Sequence, residues 1–348
     1  MTTLIGARRL PGVNNVVRRL AGHLVRGFVM ILVVTTISFV IIRNIPGDPL
    51  LARYESLVEQ GMSPEQAQRA TAALYGFMPR GTLWEQYVDY MRGLIHLNLG
   101  QSLSTPGVQV TTLLASAAAW TIVPVLVGTL LSFVVGITMG VYAAMRRSGM
   151  LGDLLAISGS LLHGLPQYVL ALLIAAIFTT LLPIFPAGGT ADILFEPGFN
   201  AGYIGSLIQH ATLPIVTYAL ASYGGWILAM KSSVVTVLGD DFILAAELRG
   251  LKRGIIFRYV ARNAILPLFT ILALSLGMLF GGAIFIEMIF NYPGLGLLLI
   301  NSITSRDYAL MGGAFLLITV AIVVANIVAD MLYTAIDPRV RSGGETAS

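Results

Sequence analysis

Few residues of this 348-residue chain could do covalent chemistry. A phosphate cradle of the form G-x-x-x-x-G-K-[ST] is approached only by "GGWILAMKSS", residues 224–233, where Met230 replaces the glycine before Lys231. That stretch also closes an apolar run instead of joining a strand to a helix, so ATP hydrolysis is not expected on this chain. A serine nucleophile would need a base beside it. His163, near Ser158 and Ser160 in "SGSLLHGLPQ", is the one pairing of that kind, and nothing around it completes a catalytic set. His23, His96, His163 and His210 lie in four separate regions without metal-binding spacing, and the absence of cysteine removes disulfides, Fe–S clusters and thiolate sites. No catalytic residue, metal site or resident cofactor is therefore assigned.

Charge is gathered where chemistry is not. Between Asp240 and Arg262 stand Asp240, Asp241, Glu247, Arg249, Lys252, Arg253, Arg258 and Arg262. Asp240 and Asp241 can open a helix and complement its dipole, Phe242 to Arg249 continue it, and Gly250 occupies the left-handed position after its end, followed by Leu251. A second, basic and amphipathic helix is expected from about Lys252 to Asn263, with Pro267 just beyond it. A helix of about ten residues is marginal alone in water. The first helix is thus expected to dock on another protein, laid in a groove.

The elements that hold this loop follow from composition. The chain is 56% hydrophobic and 11% charged, with a mean hydropathy of +0.82, too little polar surface for a water-soluble globule. Six apolar runs, roughly 24–43, 113–144, 154–182, 212–230, 264–289 and 309–336, can each cross a hydrocarbon core, and their continuous apolarity specifies helices over a barrel. Arg8, Arg9, Arg18, Arg19 and Arg26 precede the first run, Arg146 and Arg147 follow the second, six basic residues lie between the fourth and fifth, and Arg339 and Arg341 follow the sixth. Residues 183–211 contain no Lys or Arg, and 290–308 contain only Arg306. Excess positive charge marks the cytoplasmic side, so both termini and the 231–263 loop are expected there. The basic excess is thereby explained by topology, and no nucleic-acid partner is expected. The expected organisation is a cytoplasmic segment 1–23, a first span 24–43, an extracytoplasmic segment 44–112, a five-helix core 113–336 and a cytoplasmic tail 337–348.

Residues 44–112 carry their own helix signals: Ser63, Pro64 and Gln66 at one start with Gly76 at its end, and the box Thr82 to Glu85 at another. Trp84, Tyr87, Val88, Met91, Leu94 and Ile95 then form an apolar stripe that must lie on the bundle, the bilayer or a partner. Gly128, Gly136, Gly140, Gly224, Gly225, Gly277, Gly281 and Gly282 suit close helix contacts. Glu287 and Asp330, near span ends, read as polar anchors in preference to the deep acids of an ion-coupled transporter. Asp153 reads as a helix cap, and "YPGLG" as a turn at the outer gate. Tyr218, Ser222, Tyr223 and Trp226, with Glu287, could line a polar path or serve as helix contacts.

The motifs "DDFILAAELRGL" and "FRYVARNAILP" resemble the Glu-Ala-Ala loop of bacterial ABC importer permeases of the dipeptide/oligopeptide family. The resemblance extends through "IPGDP" at 45–49, "LNLGQSL" at 97–103, "GLPQYV" at 164–169, "IFIEMIFNYPGLGLLLINSITSRDYALM" at 284–311 and "DMLYTAIDPRVR" at 330–341, covering about residues 20–341. The N-terminal span, "PGDP" and the large external segment resemble the B-type subunit. The resemblance implies an all-α integral membrane protein with six transmembrane helices in the type I ABC importer permease arrangement, in a bacterial inner membrane. It further implies a heterodimer with a second permease subunit, two ATPase subunits that bind ATP and Mg, and an extracytoplasmic substrate-binding protein. On this resemblance the loop is a coupling helix, with Asp241, Ala245, Ala246, Gly250, Arg262, Asn263 and Pro267 matching it. Leu244 stands where the broad motif has Glu, and Glu247 where peptide permeases often carry a basic residue. Peptides are the implied cargo; the Gly-Gly-Trp form of the fourth span resembles members associated with oligosaccharide uptake. An ion-gradient-driven secondary transporter is the alternative of another class.

Overall fold

A computed structural model describes residues 13–47, 49–73, 81–145 and 149–336. Gly76, residues 1–12 and the tail 337–348 lie outside the described residues, as do Asp48, Arg146 and Arg147, and the surroundings of Gly277, Gly281, Gly282 and Asp330. The helices are α1 (Val13–Arg43), α2 (Pro49–Glu59), α3 (Pro64–Ala73), α4 (Leu83–Ile95), α5 (Val110–Met145), α6 (Met150–Gly164), α7 (Gln167–Ala175), α8 (Ala201–Leu238), α9 (Asp241–Leu248), α10 (Arg253–Ala264), α11 (Leu266–Ile289), α12 (Leu295–Thr304) and α13 (Tyr308–Ile336). Among the described residues the β structure amounts to an isolated bridge between Gln101 and Gln109. Among the described residues, five stretches are long and apolar enough to cross a membrane, one of them running from α10 into α11, and α6 with α7 makes a sixth span if counted as one. The all-α membrane architecture expected from composition is the one observed.

The bundle core is an α5–α8 pair held at close range by glycine. A Cβ on Gly128, Gly136 or Gly140 would lie 2.6, 2.5 or 2.6 Å from the Cβ of Tyr218, Trp226 or Met230 respectively. The residue numbers of these pairs rise together along both helices, so α5 and α8 run parallel. The same register brings Ser132 opposite Ser222. In lipid there is no hydrophobic drive between helices, and such small-residue rows let backbones approach for dispersion contact. On α8's other side a Cβ at Gly224 would sit 2.2 Å from the Gly159 carbonyl oxygen, fixing α6 against α8 in the opposite direction.

These directions define two ends. At one end lie the close of α1, the starts of α5, α8 and α13, the close of α11, and α2 to α4. At the other lie the close of α5 and α8, then α9, α10 and the start of α11. Gly27 packs on Val323 and Ile327, which returns α13 to the end where α1 begins.

Several elements differ from expectation: α1 begins at Val13 instead of residue 24, and α2 has no counterpart among the expected helices. The third span breaks into α6 and α7, bent by 103°. Pro166 disfavours helical geometry at the residue before it, and Leu165 accordingly adopts ψ 129°. Residues 176–181 then finish the span as a π-helical turn, and α6 begins at Met150, so Asp153 sits in its first turn instead of capping it. The fourth span is a 38-residue helix, Ala201–Leu238, well beyond 212–230 at both ends. Finally, "YPGLG" leads into a separate apolar helix, α12.

The segment before α5 follows its signals more closely. Ser63 accepts from the Gln66 N–H at 3.4 Å. Thr82 and Glu85 form the full capping box, with the Thr82 N–H donating to Glu85 at 2.7 Å. The α4 stripe lies on α1: Tyr87 is within hydrogen-bonding distance of the Thr36 hydroxyl at 2.9 Å, and Phe39 contacts the Tyr87 and Tyr90 rings at 5.3 and 5.4 Å. Trp84 and Ile95, expected on the covered face, are exposed, and Tyr90 turns inward in their stead.

Candidate functional site

The α9–α10 loop is built as an extension of the core. Asp240 is the N-cap of α9 by backbone geometry, with its carbonyl accepting from Ile243 at 3.0 Å, but its carboxylate makes no cap bond. The stop is a Schellman turn. Gly250 has φ +71°, its N–H donates to the Glu247 carbonyl at 2.9 Å, and the Leu251 N–H donates to the Ala246 carbonyl at 3.2 Å. The helix therefore covers Asp241 to Leu248, and α10 covers Arg253 to Ala264, each within two residues of expectation.

The eight residues of α9 divide into two apolar faces. Ile243 and Ala246 are buried in one cluster with Ile137, Val141 and Ala144 of α5, Met230, Val234 and Val237 of α8, Ile256, Val260 and Ala264 of α10, and Leu268 of α11. Phe242, Leu244 and Leu248 point outward, Leu248 with 81% of its surface exposed. Asp241, Ala245, Glu247 and Arg249 share that exposed side, while Ala246 faces the chain's own core. Arg262, Asn263 and Pro267 are exposed on α10 and the start of α11. Asn263 donates its side-chain amide to the Tyr259 carbonyl at 2.8 Å, and Ser233 of α8 donates to the Ala264 carbonyl at 2.7 Å, tying the two helices together.

Residues that could line a path are distributed differently. Tyr218 and Trp226 are buried against α5, Trp226 edge-on to Phe133 at 5.0 Å. Ser222 and Tyr223 are half-buried. His163 lies against Gly225, and Ser158 donates to the Leu155 carbonyl and not to His163.

Glu287 organises the opposite end. Its carboxylate, buried, accepts from the Thr121 hydroxyl at 2.5 Å and from the N–H groups of Gly296 and Leu297 at 2.7 and 3.0 Å. Thr121 in turn accepts from the Leu295 N–H at 2.8 Å. The first three N–H groups of α12, which have no partner inside the helix, are thus all satisfied by α5 and α11. The glycines of "YPGLG" are required by this approach: a Cβ on Gly294 would meet the Glu287 carboxylate at 2.2 Å, and one on Gly296 would meet the Ile284 Cα at 2.5 Å. Beside it, the buried Tyr292 ring stands edge-on to Trp120 at 5.8 Å.

A second buried carboxylate went unassigned at the level of sequence. Asp307 caps α13 by accepting from the Leu310 N–H at 3.1 Å, and it also takes the Ser102 and Ser104 hydroxyls at 2.5 and 2.9 Å and the Ser104 N–H at 2.9 Å. It pins "LNLGQSL" to the start of the last span.

Residues 136–342 match the protein family described as the binding-protein-dependent transport system inner membrane component. A Brucella suis biovar 1 relative whose name includes the words peptide permease protein is 32% identical over 320 residues, covering 92% of this chain and 97% of its own. The oligopeptide transport system permease protein AppB of Bacillus subtilis is 28% identical, covering 92% and 99%. The dipeptide transport system permease protein DppB of Escherichia coli K12 is 30% identical, covering 88% and 94%.

Proposed function

The chain belongs to the family of binding-protein-dependent transport system inner membrane components, and from that premise we propose that it is one of two permease subunits of an ATP-driven importer of peptides. Its α9 is the point at which a cytoplasmic ATPase subunit acts on the transmembrane helices. The observation that carries this reading is the two-sidedness of α9. One face is continuous with the core of α5, α8, α10 and α11, and the other presents Phe242, Leu244 and Leu248. A helix so built transmits displacement, because close-packed interiors shift as units and do not deform continuously. Each ATPase subunit, with its ATP and Mg, would close on its partner, move α9, and thereby change the angle between the α5–α8 pair and α11.

Cargo would pass beside the half-buried face of α8 that holds Ser222 and Tyr223, with Tyr218 and Trp226 shaping that helix from behind. An extracytoplasmic binding protein would deliver it at the α12 end. The broken third span, which a gradient-driven transporter could also possess, has no Asp or Glu between Ser160 and Leu170 to couple an ion. Peptide cargo is favoured by the names of the Bacillus and Escherichia relatives. The test is mass spectrometry of the ligand retained by the cognate binding protein, together with uptake into vesicles. Peptide retention with strict ATP dependence is expected; an oligosaccharide ligand, or uptake by this chain without ATPase subunits, would overturn the assignment.

A further inference from the structure

We propose that the cleft between α1 and α4 is a binding site for one phospholipid, whose phosphate sits on Arg43 and whose acyl chain lies along the cleft. Arg43 ends α1, and Tyr308 begins α13 beside it, so both stand at the ends of helices long and apolar enough to cross a membrane. The guanidinium carbon is 5.5 Å from the Phe39 ring and 5.5 Å from the Tyr308 ring, and among the described residues no carboxylate lies within ion-pair distance of it. Asp89, the one acid among the residues that line the chamber beside Arg43, is instead paired with Arg92 at 3.4 Å. A half-buried cation held between two rings keeps its charge and its donors free for an anion.

The space around Arg43 is divided. On one side is a chamber of about 340 Å³ whose mixed lining includes Gln86, Asn98 and Gln101 beside Leu99 and Leu103. On the other is an apolar cleft of about 560 Å³ lined by Thr36, Val40, Leu83, Trp84 and Tyr87. Arg43 and Phe39 border both. Val40, Leu83 and Trp84 are exposed along the cleft, on the surface where α1 faces outward. A ligand with a phosphate next to a hydrocarbon chain matches this order of cation, aromatic rim and apolar trough. A peptide would satisfy the cation with its carboxylate but would leave backbone groups unpaired along the apolar wall.

The inference does not depend on ATPase docking and is tested on the full chain with whatever subunits co-purify with it. After extensive detergent washing, lipid mass spectrometry should find about one phospholipid per chain. Brominated-chain phosphatidylglycerol should quench the tryptophan fluorescence of the protein, and Trp84→Phe should remove most of that quenching. Arg43→Gln should reduce retained phospholipid about tenfold. Val40→Trp, which fills the cleft from its exposed side and leaves Arg43 intact, should do the same. Diacylglycerol with the same chains, or inorganic phosphate alone, should fail to compete. Equal lipid retention by both variants, displacement by inorganic phosphate, or occupation of the cleft by another subunit, seen as a cross-link from Val40→Cys, would each overturn the proposal.

Discussion

Thr121 donates its hydroxyl to the carboxylate of Glu287 at 2.5 Å, joining the start of α5 to the end of α11 across 166 residues of sequence. The pair also closes the N-terminus of α12. If α12 forms part of the outer gate, its position is set by one buried hydrogen-bond network and moves when α11 moves relative to α5.

Thr121→Val should leave the Leu295 N–H without a partner and remove one bond to the carboxylate. A buried donor left unsatisfied costs about 1–3 kcal/mol. Glu287→Gln should cost a similar amount, and the double variant less than the sum, because members of one network couple by about 0.5–3 kcal/mol. Thermal unfolding of the four proteins in one detergent checks this; strict additivity would show that the two residues act separately.

Gly250 has no atom within 4 Å of where a Cβ would stand, so its requirement is conformational and not steric. Gly250→Val should strain the left-handed turn by about 1–2 kcal/mol, leave membrane insertion intact and abolish substrate-stimulated ATP hydrolysis. Gly250→Asn, which tolerates that region, should restore most of it. Assays of both variants in reconstituted complexes decide whether the turn geometry is what matters.

Gly224→Ala should drive a methyl into the Gly159 carbonyl, for a loss of about 1–3 kcal/mol typical of overpacking. Gly254→Ala, in α10 with open space around it, should be neutral or stabilising by up to about 1 kcal/mol. Comparing their melting temperatures separates a helix-contact glycine from one that makes no contact.

The Thr82 backbone N–H, with the hydroxyl adding to it, holds the exposed Glu85 carboxyl below its usual pKa. A depressed carboxyl contributes its stabilisation above the unfolded-state pKa of about 4.3 and loses it as pH falls through the lower folded value. Fraying at the start of α4 should therefore increase below about pH 4.3 in the native chain. In Glu85→Gln the increment over that range should be absent, as read by backbone NMR shifts of residues 82–86.

The turn at Gly250 and the box at Thr82 were legible because capping is local: residue types within five positions decide it. The apolar stretches were legible because a span needs about 20 apolar residues, but that rule did not show how far α8 runs past its stretch at both ends. The break at Pro166 carried its signal in "GLPQ", but a hydropathy run reads straight through a bend. Which side of α9 faces inward was not legible, since Ile243 and Ala246 are no more apolar than Phe242 and Leu248; only packing against α5, α8 and α10 distinguishes them. Glu287 was read as an anchor, but its partner Thr121 and the cap on α12 depend on long-range pairing. Asp307 likewise meets Ser102 over 205 residues, a contact that no local pattern encodes.

The central claim, that α9 receives work from an ATPase subunit through its outer face, is tested most directly by cross-linking. Because the chain has no native cysteine, single cysteines can be placed at Phe242, Glu247 and Leu248 on the exposed side and at Ala246 on the buried side. The account predicts cross-links to the ATPase subunit from the three outward positions, with yields that change on adding nucleotide, and little or none from Ala246. Absence of cross-links at all three outward positions, or equal yield from Ala246, would contradict it.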